Sequence, residues 1–152
     1  MSAWWTWIET TVAARAVAQS SALTAILSAS HLLGFTLVMG GALVGNLRLL
    51  GSVFARLPVS DVLRPTTRSM LLGLAISAST GALLFSARAV EVAANPTFRL
   101  KMTLLLGATA LHFAVTRRFA AGAATLTRAV GAVGLLLWAA LAVTACAFIL
   151  LE

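Results

Sequence analysis

Apolar residues fill four long stretches of the chain, and charged residues, prolines and an asparagine stand between them. An α-helix needs about 20 residues to cross about 30 Å of hydrocarbon, which is the scale of these stretches. The pattern predicts an all-α fold, an integral membrane four-helix bundle formed by a single transmembrane domain over residues 1–152. The predicted spans are residues 22–46, 69–87, 102–116 and 129–151.

The N-terminal segment has a different pattern. Trp4, Ile8 and Val12 recur every four positions, and Glu9 and Arg15 lie among them. Residues at this spacing share one face of a helix, and tryptophan is favoured at the level of the lipid headgroups. We therefore expect an N-terminal interfacial amphipathic helix. The early acidic residue and the lack of a basic start do not fit a signal peptide.

Composition narrows the class of protein further, since 61% of the residues are hydrophobic and 10% are charged. A soluble domain carries about 25% charged residues, so this chain would expose large apolar patches in water, and we exclude a soluble fold. The formal net charge of +7 raises the question of nucleic acid. Because the cations lie at the ends of apolar stretches and form no basic stripe, we expect the lipid bilayer as a partner and no nucleic acid.

Cations are distributed unevenly between the two sides of the predicted bundle. Seven arginines fall on the side of the connections at residues 46–68 and 117–128, and four cations fall on the other side. The first set is Arg48, Arg56, Arg64, Arg68, Arg117, Arg118 and Arg128, and the second is Arg15, Arg88, Arg99 and Lys101. By the positive-inside rule we expect both connections in the cytoplasm and both termini on the outer, periplasmic side.

His31 and His112 are the two histidines of the chain, and both fall within predicted hydrocarbon, where polar side chains are costly and usually mark a functional site. Counted from the outer ends of their spans, at Ala22 and Lys101, they lie about 13 and 16 Å deep. Counted from the basic residues at the opposite ends, their depths differ by about 18 Å. We prefer the outer count, because the first helix can extend past the membrane before Arg48.

Two imidazoles at one depth on neighbouring helices suit a b-type haem, because imidazole binds iron and the interior of a bundle accommodates an apolar macrocycle. We therefore predict that His31 and His112 are the axial ligands of haem b. Arg88 and Lys101, at the outer ends of the spans, are candidates to bind the haem propionates, and Gly34 is a candidate to give the flat ligand room. Each of these also has an ordinary role, in membrane topology or in close helix packing.

With both axial positions filled the iron has no open site, so electron transfer between a membrane or periplasmic partner and the quinone pool is favoured over catalysis. No catalytic residue is assigned, because the four acidic residues lie at borders or in connections.

The alternative is a cofactor-free structural subunit or a module that transports copper or protons. Met39, Met70 and Met102 are soft side chains that would then join the histidines as copper ligands. A homo-oligomer, or a subunit of a larger complex, is compatible with either function.

Four segments of the chain share a recognisable pattern. They are His31-Leu-Leu-Gly34, Asn46-Leu-Arg-Leu-Leu-Gly51, Thr80-Gly81-Ala-Leu-Leu-Phe85 and Asn95-Pro-Thr-Phe-Arg-Leu-Lys101, the last of which runs on to His112. These segments resemble a family of small bacterial four-helix membrane proteins of unknown function. The resemblance implies a multi-pass protein of the bacterial inner membrane with one histidine in the first span and one late in the third. The family is also distantly similar to b-type cytochromes and copper-resistance membrane domains, which is a likeness of fold and not of function.

Overall fold

The computed structural model describes residues 2–120 and 127–150, and every regular element in these ranges is an α-helix. The helices are α1 (Ser2–Glu9), α2 (Val12–Gln19), α3 (Ser21–Leu50), α4 (Val59–Ala87), α5 (Ala89–Ala94), α6 (Pro96–Ala120) and α7 (Thr127–Leu150). The expected all-α class is confirmed. The middle of the predicted connection at 117–128 and the end of the fourth predicted span lie outside the described residues.

Four of the described helices, α3, α4, α6 and α7, are long and apolar enough to cross a membrane. Their outer faces are apolar as well: Leu33, Leu72, Leu106 and Leu136 have exposed fractions of 67%, 58%, 71% and 71%. Exposure of so many large apolar side chains is unfavourable in water, but their contact with hydrocarbon has no such cost. The protein is therefore a transmembrane helical bundle.

The N-terminal segment forms two short helices where the sequence pattern predicted one. The break falls at Thr10 and Thr11, whose hydroxyls donate hydrogen bonds to the carbonyl oxygens of Trp7 and Ile8. Threonine side chains that bind nearby carbonyl groups compete with continued helix, and the Thr11 hydroxyl also caps α2. The predicted N-terminal segment is therefore helical but divided into two helices, and α1 exposes Trp4 and Trp7.

The second and third predicted spans, 69–87 and 102–116, are shorter than the helices that contain them. α4 begins at Val59, not near residue 69, and it accommodates Pro65 in its second turn. Pro58 stands in extended conformation immediately before the helix, and Asp61 in the first turn complements the positive end of the helix dipole. Because the prediction ended these two spans at charged residues, it left out helical turns that continue beyond the apolar stretch.

Helices α3 and α4 pack more extensively than any other described pair. Gly34 and Gly73 face each other at this contact, where a β-carbon built on Gly73 would lie 2.5 Å from the Gly34 carbonyl oxygen. The same atom would lie 2.9 Å from the side chains of Leu37 and Val38. Lipid gives helices no hydrophobic reason to associate, so backbone approach of this kind is what holds the pair together.

The apolar core lies midway along the long helices, and α7 closes it by packing against α3 and α6. Six core side chains are at most 2% exposed: Val38, Ala42, Met70, Ala108, Trp138 and Leu141. Nearer the start of α7, Gly131 and Gly134 bring its backbone against Asn46 and Leu49 of α3. The core therefore divides the bundle into one end where α1, α2 and α5 lie and an opposite, arginine-rich end.

Gly73→Ala is expected to lower the thermal unfolding temperature of the detergent-purified protein, because the added methyl group has to force α3 and α4 apart. Overpacking of this kind costs about 1–3 kcal/mol. Gly107→Ala is the matched control, since a β-carbon there meets nothing within 4 Å. Equal unfolding temperatures for the two variants would contradict the backbone contact at Gly73.

Candidate functional site

His31 points from α3 toward α4. Its Nδ1 lies 2.9 Å from the carbonyl oxygen of Ser77 and 3.3 Å from the hydroxyl oxygen of Thr80. A carbonyl oxygen only accepts hydrogen bonds, so in the neutral imidazole Nδ1 carries the proton and donates it. The lone pair of His31 is therefore on Nε2, which is the arrangement found when a histidine is held by a carbonyl group in order to bind a metal.

The rest of the His31 residue is also fixed by α4. The Ser77 hydroxyl donates to the His31 carbonyl oxygen at 3.1 Å. A β-carbon on Gly81 would lie 2.9 Å from Cε1 of the ring, so only glycine leaves the ring in this position. α4 therefore sets both the backbone and the ring orientation of His31.

His112 has a different set of contacts. It is 7% exposed, and its Nε2 lies 3.0 Å from the hydroxyl oxygen of Thr67 on α4. Its Cε1 is the ring atom nearest to Gly45 of α3, at 3.8 Å from a β-carbon built there. A hydroxyl group both donates and accepts hydrogen bonds, so the Thr67 hydroxyl satisfies Nε2 of His112 in either tautomer. Nδ1 is the ring nitrogen that takes no part in this bond.

The structure does not bring the two histidines together. His112 lies at the level of Gly45 on α3, and at 1.5 Å per residue this is about 21 Å along the helix from His31. On α4 their partners Ser77 and Thr67 are about 15 Å apart. Two axial ligands of one iron have to meet at one depth, so the predicted ligation of a single haem by both histidines does not fit.

The error lies in the outer reference point of the depth count. Phe98 near the start of α6 stacks on Phe85 of α4, with ring centroids 5.5 Å apart. Lys101 lies one turn further along α6, which brings it to the level of Gly81 on α4. Gly81 in turn lies against the ring of His31. Lys101 is therefore not at the edge of the bundle but beside His31 in depth, and the count from the arginine-rich end was the correct one.

Lys101 is the predicted site residue that the structure does bring close to His31. It is half-buried, it lies within electrostatic range of His31, and its Nζ stands 5.6 Å from the centroid of the Phe148 ring. Phe148 in turn contacts Phe98, with centroids 5.9 Å apart. The end of the bundle opposite the arginine-rich end thus combines an imidazole and an ammonium group with aromatic rings.

Arg88 and Gly34 do not join this cluster in the predicted roles. Arg88 is exposed, and its guanidinium group donates to both carboxylate oxygens of Glu91, at 3.0 and 2.5 Å. Gly34 lies one turn from His31, but a β-carbon there would be 2.6 Å from the Ser77 hydroxyl and 2.8 Å from the Gly73 carbonyl oxygen. Because α4 fills this space, Gly34 gives no room to a flat ligand.

An apolar layer separates the two histidine sites. Val38, Met70 and Leu141 occupy it and are almost completely buried. A proton path that joined the two histidines would have to cross this apolar layer, which does not favour proton transfer between them. Among the described residues no three histidine, cysteine or acidic side chains group together as metal ligands. Copper binding through Met39, Met70 and Met102 stays a prediction.

Sequence reasoning missed the role of Asn46 beside His112. Asn46 is 5% exposed, its Nδ2 donates to the Ala42 carbonyl oxygen at 2.7 Å, and its amide presses against Gly134 of α7. A cavity of about 10 Å³ lies between Asn46 and His112, which is the smallest space that holds one water molecule. The sequence signal that identifies Asn46 is a side-chain amide inside an apolar stretch, because such a polar group is costly in hydrocarbon, as a histidine is.

The four long apolar helices make this protein a multi-pass membrane bundle, and two separate histidine contacts join its helices. The chain belongs to DUF6644, a family of unknown function, whose match covers residues 4–149. The expected membership of a family of unknown function is confirmed, and the more distant likeness to b-type cytochromes stays a prediction. No curated protein and no solved structure matches the chain.

Thr67→Val is expected to destabilise the protein by about 0.5–2 kcal/mol, because it leaves Nε2 of the buried His112 without its partner. The measurement is equilibrium unfolding in detergent. Thr67→Ser should retain most of the stability, because it keeps the hydroxyl. Thr103→Val is the control, since the exposed Thr103 hydroxyl bonds only to Arg99 in its own helix. A loss no larger than that of the control would show that the bond to His112 contributes nothing.

Proposed function

We propose that this protein is a membrane electron-transfer module that binds a b-type haem through His31 and connects a membrane or periplasmic partner with the quinone pool. The observation that carries the proposal is the 2.9 Å bond between His31 Nδ1 and the Ser77 carbonyl oxygen. A histidine whose other nitrogen is tied to a carbonyl group is oriented, and made more basic, for ligation through Nε2. When bound, the haem would supply one-electron chemistry.

His31 is a better candidate ligand than His112. Nε2 of His112 is already bonded to Thr67, and the His112 site is closed by the packing of Gly45, Asn46 and Gly134. Around His31 the groups present are of the kind that an anionic, planar ligand needs. Lys101 carries a positive charge at the same depth for a carboxylate, and Phe98 and Phe148 offer apolar ring surface.

A cofactor-free structural subunit is the second candidate, and a specific observation favours it. Both histidines bind side chains or backbone of α4, so each can act as an interhelical clamp without any ligand. Such bonds between membrane helices are worth about 0.6 kcal/mol on average, which is enough to select one helix arrangement. The two candidates differ in whether the purified protein absorbs visible light.

An absorption spectrum of the detergent-purified protein, expressed with ample haem, tests the proposal. The wild type is expected to show a Soret band that shifts on reduction and again with carbon monoxide, because His31 would be the one side chain of this chain that holds the haem. His31→Ala should lose the band. His112→Ala is the matched control and should keep it, since His112 lies about 21 Å away along the bundle.

The outcomes separate the candidate functions. Addition of imidazole to His31→Ala should restore the band if only the ligand has been lost, and unfolding temperatures show whether each variant is folded. A folded wild type without a Soret band would overturn haem binding and leave the structural subunit. Loss of the band in both histidine variants, with both folded, would mean that the two rings share one iron and that the separation of the two sites is wrong.

A further inference from the structure

The arginine-rich end of the bundle carries an unusual amount of uncompensated charge. Arg64 and Arg68 are exposed and stand one turn apart on α4. They lie on the side of α4 away from Leu63 and Met70, which pack toward α3. Arg117 and Arg118 at the end of α6 are exposed at the same end of the bundle. The lipid-facing surface of this end is therefore basic.

Protein carboxylates do not neutralise these arginines. In the part of the chain that the structure describes, the salt bridge is between Arg88 and Glu91, at the opposite end of the bundle. Asp61 is the acidic residue closest in sequence to Arg64, and its Oδ1 accepts a hydrogen bond from the Ser60 hydroxyl. No carboxylate of the described residues therefore pairs with Arg64 or Arg68, and their counter-charge comes from solvent ions or from the membrane.

The position of Arg68 along α4 limits which anions can supply that counter-charge. The contact between Thr67 and His112 places Arg68 beside the buried part of α6 and not in a loop. An arginine at this depth extends its side chain toward the headgroup layer, because its charge is costly in hydrocarbon. A soluble polyanion such as nucleic acid cannot follow it there, whereas the phosphate of a neighbouring phospholipid already lies at that level.

A second observation at the same end points to an anionic oxygen. Nε of Arg48 is buried and has no hydrogen-bond partner, although its Nη2 donates to the Leu57 carbonyl oxygen at 2.5 Å. An unsatisfied charged donor is expensive, and in a folded protein it usually has a water, an ion or a ligand as its partner. Guanidinium groups match phosphate oxygens in geometry and charge.

We propose that the arginine-rich end binds the headgroups of anionic phospholipids, and that Arg64 and Arg68 make the main contact. The paired guanidinium groups on one face of α4 bind the lipid phosphate, and the exposed leucines beside them, such as Leu71 and Leu72, contact its acyl chains. Clusters of basic residues next to membrane helices attract anionic lipid in this way.

The test compares lipid affinity in mixed micelles of a neutral detergent, with phosphatidylglycerol as the anionic probe and phosphatidylcholine as the neutral probe. The wild type is expected to prefer phosphatidylglycerol, and the double variant Arg64→Gln/Arg68→Gln to bind it about tenfold or more weakly. Arg15→Gln/Arg99→Gln is the matched control, because it removes the same charge from exposed positions at the opposite end. The control should keep its preference.

Each other outcome would overturn the proposal. Equal loss in the two double variants would mean that net charge alone attracts the lipid. No preference for phosphatidylglycerol over phosphatidylcholine in the wild type would remove the site altogether. If inorganic phosphate displaced the lipid at equal concentration, the arginines would bind a free anion and not a lipid. Unfolding temperatures without lipid confirm that each variant is folded, and none of these readouts depends on haem.

Discussion

The close approach of α3 and α4 is the contact on which the rest of the structure depends. In hydrocarbon the helices gain nothing from burying leucine, so the pair is held by backbone contact at Gly34 and Gly73 and by the hydrogen bonds that this contact permits. It also places His31 within reach of the Ser77 carbonyl oxygen. A wider spacing of the two helices would leave that imidazole without a partner in a medium that offers no water.

The fold class follows from the sequence because the bilayer imposes its own thickness on the chain. Four apolar stretches of the right scale can form only a few structures, and a helical bundle is the simplest. The ends of the helices do not follow in the same way. Val59 begins α4 in a segment with charged residues and prolines, since a membrane helix continues into the headgroup layer wherever its backbone bonds are satisfied. The start of α6 at Pro96 is different, because proline itself favours the first turn of a helix. The break at Thr10 and Thr11 depends on side-chain bonds to the backbone, which hydrophobic periodicity does not report.

The candidate site was predictable in its residues but not in its arrangement. A histidine inside an apolar stretch stands out in any sequence, and both His31 and His112 have polar partners on α4. Their relative depth depends on how far α6 is displaced along the bundle, which the contact of Phe98 with Phe85 determines. Of the two depth counts from the sequence, the count from the arginine-rich ends reports this displacement, whereas the other takes Lys101 as the edge of the bundle and misses it. Because of the displacement, Lys101 and not His112 is the residue level with His31, and the two histidines occupy separate ends of the bundle.

The separation of the two histidines is the central claim, and the chain contains no other histidine to confuse its measurement. Solid-state NMR of the protein in lipid bilayers, with isotope-labelled histidine in an otherwise unlabelled chain, reads contacts between the two imidazole rings directly. The structure predicts no cross-peak between the rings, and, when serine and threonine are labelled as well, contacts of His31 with Ser77 and of His112 with Thr67. A cross-peak between the two rings would contradict the structure described here and restore a single shared site.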